Sequence, residues 1–307
     1  VTPALALAAA TAFALALRAA HGGASSTALV LGAAALLASA ALAVRLARLR
    51  DRAGLLAPLA FGAVVLAIWE VLVVAFGVPM VLLPAPSAIA TRFAGALPLL
   101  AADFMQTFVK AVLVGYAIGN FAGFAAALVV DRVPFLRRGL LPVASFLSAM
   151  PIIGIAPIAV MWFGFDWPSK AAVVVAMTFF PMFVNALAGL DAAGSLERDL
   201  MHAYAATHAQ TLRMLRLPAA LPFIFTALKI NAPLALIGAI VAEFFGSPTV
   251  GMGFRITTEA AKLALDLVWA EIVMAAAAGT AFYGLVALVE RAATFWHPSQ
   301  RIRGETA

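Results

Sequence analysis

Apolar runs of bilayer length alternate with short polar clusters along almost the whole chain. Residues 1–20 and 27–44 are rich in Ala and Leu and are parted by His21 to Ser26. Each approaches the roughly 20 residues that a membrane-crossing helix needs. Six stronger runs follow, at about 55–77, 105–130, 140–163, 170–190, 222–246 and 268–289. A signal peptide is the other reading of the first run. That run lacks a basic leading region and carries Arg18 at its far end, so the pattern favours an extra helical hairpin. The pattern thus predicts an all-α integral membrane protein. Residues 1–52 hold two extra N-terminal spans and a basic linker over 45–52, and residues 53–307 hold a six-helix core.

One polar island interrupts this order, from Ser195 to Pro222. Leu196, Leu200 and Tyr204 recur every four residues and predict one short helix with a single apolar stripe. Thr207 with Gln210 three residues on forms a capping-box pattern for a second short helix. Leu212 and Leu215 share one face of that second helix and Arg213 and Arg216 another, and Pro218 is expected to stop it. Neither helix can bury its stripe unaided. The stripes are suited to a partner protein or to the membrane surface.

Charge orients the spans. Basic residues gather in 45–52, 131–139, 191–221 and 291–307, whereas the opposite loops hold Arg92, Lys170, Arg255 and Lys262. The positive-inside rule places the polar island, and both termini, in the cytoplasm. With 65% hydrophobic and 11% charged residues the chain is far from soluble composition, so its charge of +6 reads as topology rather than nucleic-acid binding. Cysteine is absent, which excludes disulfides and thiol chemistry. There is no P-loop and no HExxH, and the four histidines are scattered, so no catalytic constellation, cofactor site or metal site is expected.

The remaining polar positions are few. Gly115, Gly119 and Gly123 form a ladder for close helix packing. Asn120 beside it reads as an interhelical hydrogen bond, with pathway lining as the alternative. Met150-Pro151, with Gly154 and Pro157, marks a helix that is either kinked around a cavity or simply packed. Glu70, Lys110, Lys229, Glu243 and Glu271 fall inside spans and count as functional candidates by default. Lys229 and Glu243 lie about four turns apart on one face, with Asn231 nearby, as the two ends of a pathway-facing stripe would. The segment 78–100, with Pro79, Pro84, Pro86 and Pro98, is expected to be extended on the outer face. Residues 247–265 on the same side are expected to form a turn and an amphipathic helix.

The polar island resembles the cytoplasmic EAA loop of permease subunits of ATP-binding-cassette importers. Asp199 takes the Glu position of that pattern, Leu200 and Met201 the Ala pair, Ala205 the Gly, Leu215 the Ile, and Leu217-Pro218 the closing Leu-Pro. The runs at 216–230, 83–89 and 295–301 resemble the branch that moves nitrate, sulfonates, taurine and thiamin- or riboflavin-type precursors. The resemblance implies a six-helix type I importer permease core with a coupling loop at 191–221. Asp199, Met201, Tyr204, Ala205, Ala206, Thr207, Gln210, Leu212, Leu215, Leu217 and Pro218 would form its docking surface, and Asn120, Met150, Asn231 and Glu243 would be pathway or gate residues. It further implies a bacterial inner-membrane transport subunit that is not an enzyme. ATP and Mg would sit on a partner ATPase, an external binding protein would deliver a small solute, and a second permease copy would complete a homodimer. The rival class is an ion-coupled secondary transporter using Glu70, Glu243 or Glu271, and a non-transporting membrane scaffold is a third.

Overall fold

A computed structural model describes residues 56–133, 135–139, 154–246 and 249–296, together with Gly32. The predicted N-terminal hairpin, the linker 45–52, Met150 and most of the 140–163 span lie outside the described residues. Every regular element among the described residues is helical. These are α1 (Leu56–Ala75), α2 (Pro86–Gly95), α3 (Leu97–Arg132), α4 (Ala156–Phe163), α5 (Trp167–Asp191), α6 (Ser195–Ala203), α7 (His208–Phe244), α8 (Met252–Ala261) and α9 (Leu265–Ala293). Of these, α1, α3, α5, α7 and α9 are long and apolar enough to cross a membrane.

The described chain divides into two compact units. The first contains α1, α2 and the stretch Glu259–Ala270. Here Glu70 accepts from the Ser87 backbone N–H (2.9 Å) and from Ser87 Oγ (2.6 Å), so this buried carboxylate caps the start of α2. Arg92 pairs with Asp266 at 3.5 Å, and the rings of Trp69 and Trp269 meet edge to face. The expectation of an extended 78–100 segment is corrected. Pro86 and Pro98 stand in the first turns of α2 and α3, where a missing N–H breaks no intrahelical bond.

The second unit holds Pro98–Thr258 and Glu271 onward. Its core joins Ala111 and Val112 of α3, Ala232, Ala235, Leu236 and Ala239 of α7, and Ala275, Ala278, Phe282 and Val286 of α9. Small side chains dominate because lipid gives helices no hydrophobic reason to associate, so close backbone contact must supply the attraction. The glycine ladder serves this purpose between α3 and α5. A Cβ on Gly115 would lie 2.6 Å from Val174 Cβ, one on Gly123 would lie 2.5 Å from the Phe179 carbonyl, and one on Gly119 would strike Thr178 Oγ1. Lys229 of α7 pairs with Glu290 of α9 at 2.6 Å.

Two of the described helices carry π-helical stretches. Met105–Val112 lies within α3, and its buried positions Gln106, Thr107, Ala111 and Val112 repeat at five, as an i→i+5 turn requires. Leu212–Arg216 lies within α7 and runs straight into Leu217–Phe244. The expectation that Pro218 ends the second loop helix is therefore corrected. Pro218 sits just after the π stretch, where the ladder is already widened, and the helix passes through it into the span.

Gly119→Ala is expected to lower the melting temperature of the purified chain, because overpacking a tight contact costs about 1–3 kcal/mol. Gly62→Ala, at a helical position with open space around it, should instead raise it slightly.

Candidate functional site

The island between α5 and α7 is built from two consecutive cap motifs. At the end of α6 the Ala205 N–H reaches the His202 carbonyl (2.9 Å) and the Ala206 N–H reaches the Met201 carbonyl (2.9 Å). This is a Schellman ending, which requires a left-handed residue at the Ala205 position. Ala205 takes that conformation, with φ +53°. Thr207 then opens α7 with a full capping box. The Gln210 N–H donates to Thr207 Oγ1 (3.3 Å) and the Thr207 N–H to Gln210 Oε1 (2.8 Å). Only Ala205 and Ala206 separate the motifs, so the turn between α6 and α7 is fixed by its own backbone bonds.

Cations tie this turn to the spans. Arg216 donates both Nη atoms to the Asp131 carboxylate at 2.7 Å each, and its Nε to the Leu190 carbonyl at 3.0 Å. The pair is largely buried, with side-chain exposures of 11% and 4%. Arg198 donates to the Asp191 carbonyl at 2.8 Å, and Arg137 pairs with the Asp191 carboxylate. The last carbonyls of α5, which have no partner within the helix, thus receive guanidinium donors at the negative end of its dipole.

The turn leaves an apolar stripe uncovered. Leu196 is 80% exposed, Leu200 56% and Tyr204 79%, with Met214 of α7 at 70%. Asp199, Ala205, Thr207 and Gln210 are also exposed, while Met201, Ala206, Leu212, Leu215, Leu217 and Pro218 are partly covered.

At the other end of α7 a second polar cluster is fully buried. The Gly251 N–H donates to Asp103 Oδ1 (2.6 Å), the Met252 N–H to Thr107 Oγ1 (2.8 Å) and the Gly253 N–H to Glu243 Oε2 (2.6 Å). Three consecutive N–H groups at the head of α8 are therefore capped by side chains of α3 and α7. Thr107 Oγ1 also donates to Glu243 Oε1 (2.7 Å), and Arg255 holds Asp103 at 2.8 Å. Glycine is required at this cap. A Cβ on Gly251 would lie 2.7 Å from the Glu243 carboxylate, and one on Gly253 2.9 Å from Glu243 Cβ. Buried Lys170 donates to the Phe165 carbonyl (2.5 Å) and to that of Gly246. Nearby, the Trp167 backbone N–H and then the Gln106 amide hold Asp166 below the usual carboxylate range.

The structure brings Glu243 into this cluster, but Asn120 and Asn231 lie apart from it. Asn231 Nδ2 donates to Asn120 Oδ1 (2.6 Å) and to the Thr178 carbonyl (2.8 Å), joining α3, α5 and α7. Asp103 and Thr107 escaped the sequence reading, Lys170 and Arg255 entered it only as outer-loop charges, and the Arg216–Asp131 pair was not foreseen. Asp103 and Thr107 stand one turn apart on α3, and Gly-Met-Gly at 251–253 carries the glycines; these were the available signals.

Ala205→Gly is expected to stabilise the turn by about 1 kcal/mol, since a left-handed alanine carries a penalty that glycine lacks. Slower amide exchange at Ala206 would register it. Arg216→Met should destabilise by about 3–5 kcal/mol by stranding Asp131. Arg216→Met with Asp131→Leu should recover much of the lost melting temperature.

Among the described residues no group of three or more His, Cys, Asp or Glu side chains is placed to hold a metal. Residues 119–295 match the family described as binding-protein-dependent transport system inner membrane component. The chain is 33% identical to the formylaminopyrimidine transport permease protein ThiX of Halalkalibacterium halodurans, over 65% of its own length and 79% of the relative's. It is 30% identical to the riboflavin transport system permease protein RibX of Chloroflexus aurantiacus, over 76% and 87%. It is 27% identical to the putative aliphatic sulfonates transport permease protein SsuC of Bacillus subtilis, over 81% and 91%. These relatives are transport subunits rather than enzymes, which sets the ion-coupled and scaffold readings aside. The chain belongs to the binding-protein-dependent inner membrane component family, the membrane-spanning permeases of ATP-binding-cassette importers, which work with a separate ATPase and a substrate-binding protein.

Proposed function

We propose that this permease takes ATPase motion through the segment 191–221 and passes it to the transport pathway. The observation that carries this reading is the exposed stripe of Leu196, Leu200 and Tyr204 on a turn whose backbone is fixed and whose base is bolted to α3 and α5. A surface that is apolar, uncovered and rigid suits a partner's groove. The positive-inside charge pattern puts it in the cytoplasm, on the ATPase side. Asp199, Met201, Ala206, Leu212, Leu215, Leu217 and Pro218 support the stripe from behind or flank it. ATP and Mg stay on the partner.

On this reading two copies of the chain enclose the pathway as a homodimer in a bacterial inner membrane. The opposite end, with the capped head of α8, faces the external binding protein. The named relatives carry a pyrimidine, a vitamin and organic sulfonates, and the solute here is a small molecule of that range. Asn120, Asn231 and Glu243 act in this scheme as positioning residues, since each is buried in interhelical hydrogen bonds.

The test is co-purification of the tagged permease with its ATPase in mild detergent. Leu200→Glu and Tyr204→Ala should each cut ATPase recovery at least tenfold while leaving the melting temperature within a few degrees. Undiminished recovery with both variants would overturn the docking assignment.

A further inference from the structure

One surplus residue separates the turn that carries the exposed stripe from the span it leads into. The Leu217 N–H reaches back five residues to the Leu212 carbonyl, so the stretch Leu212–Arg216 holds one residue more than α-helical turns would. Side-chain coverage records the same slip. Arg216 and Ala220 are buried. On an unbroken α-helix Arg213, three residues before Arg216 and seven before Ala220, would share their face, and Thr211, five before Arg216, would turn away. The reverse holds, with Thr211 partly covered and Arg213 exposed.

Two residues hold this insert open. The Arg216 side chain is fixed by the Asp131 carboxylate and the Leu190 carbonyl. Pro218 acts through the backbone. Closing the insert into α-helical turns would bring the proline ring against the Met214 carbonyl four residues back, and Pro218 has no N–H with which to bond it. Proline alone does not open such a turn, since Pro222 and Pro233 lie within the α-helical stretch Leu217–Phe244. At Pro218 the proline follows a buried, anchored arginine.

The Schellman ending and the capping box join α6 and the first turn of α7 into one body, so a change at the insert turns the stripe as a whole. Closing the insert by one residue would rotate that body by about 100° around α7 and shift it by about 1.5 Å along the axis. Leu196, Leu200 and Tyr204 would then point in another direction. We propose that the π-helical insert aims the docking turn, with Arg216 and Pro218 as the positioning residues that set its rotational phase. The consequence for ATPase binding rests on the docking reading above, whereas the phase belongs to the permease alone.

The chain has no cysteine, so single introduced thiols report the phase in the full chain in mild detergent, with a water-soluble maleimide as the probe. Thr211→Cys should react more slowly than Arg213→Cys. Arg216→Met with Asp131→Leu and Pro218→Ala releases both holds without stranding a charge, and in that chain the order should reverse. The same release should cost most of the ATPase recovery. Deleting Arg213 as well removes the surplus residue, and should return Thr211→Cys to slow reaction and restore recovery.

Faster reaction of Thr211→Cys than of Arg213→Cys in the otherwise wild-type chain, or an unchanged order in the released one, would overturn the phase assignment. Recovery that stays low after the deletion, although Thr211→Cys is slow again, would overturn the aiming role. If recovery is insensitive to Leu200→Glu and Tyr204→Ala, the docking reading fails and the labelling still decides the phase. Should the released chain fail to fold, Pro218→Ala alone is read. A narrowed difference between the two thiols supports the insert as held by Pro218, and an undiminished one overturns it.

Discussion

A hydrocarbon interior offers no hydrogen bonds, so every backbone group freed from a helix ladder must find a partner inside the protein. The polar chemistry of this permease follows from that constraint. The head of α8 offers three N–H groups, and Asp103, Thr107 and Glu243 take them. The tail of α5 offers carbonyls, and Arg198 and Arg216 take them. Charged residues are scarce in this chain, and among the described residues buried Lys170 and Glu243 stand within a turn of the ends of α5 and α7. The exception in kind is the Asn120–Asn231 contact, where two neutral amides join three helices without any charge to neutralise.

The two ends of α7 use the same material differently. At the loop end, Schellman ending and capping box are made locally, and long-range ion pairs only anchor the result. At the Gly246 end the caps on residues 251 and 252 come from α3, distant in sequence, and only that on Gly253 comes from the end of α7 itself. A turn that closes itself is stiff however its neighbours move. A cap borrowed from other helices lasts only while those helices keep their spacing. The first arrangement suits a surface that must be presented in one shape, and the second suits a contact that must come apart.

Much of this was legible in the sequence, for definite reasons. The spans announce themselves through apolar length, and the capping box through Thr207 and Gln210. The glycine ladder reads from spacing alone, since only a close approach of helices needs residues without side chains every four positions. Proline misled twice. Pro86 and Pro98 looked like breakers of regular structure and instead begin helices, and Pro218 looked like a stop and instead follows a π-helical stretch that carries the chain through. Sequence shows that an N–H is missing but not whether anything needed it. Asp103 and Arg255 were invisible as a pair because 152 residues separate them. Glu70 was conspicuous as a membrane carboxylate, yet it caps α2 within its own unit.

The continuity of α7 has a mechanical meaning. One helix of 37 residues, about 55 Å long, has the capping box at its first turn and Glu243 at its last. No loop lies between them to absorb displacement. A rotation imposed on Thr207 would pass along this helix toward Glu243, reduced by what the Leu212–Arg216 stretch and the prolines at 222 and 233 take up. The shaft and the catch it would release are a single piece of backbone.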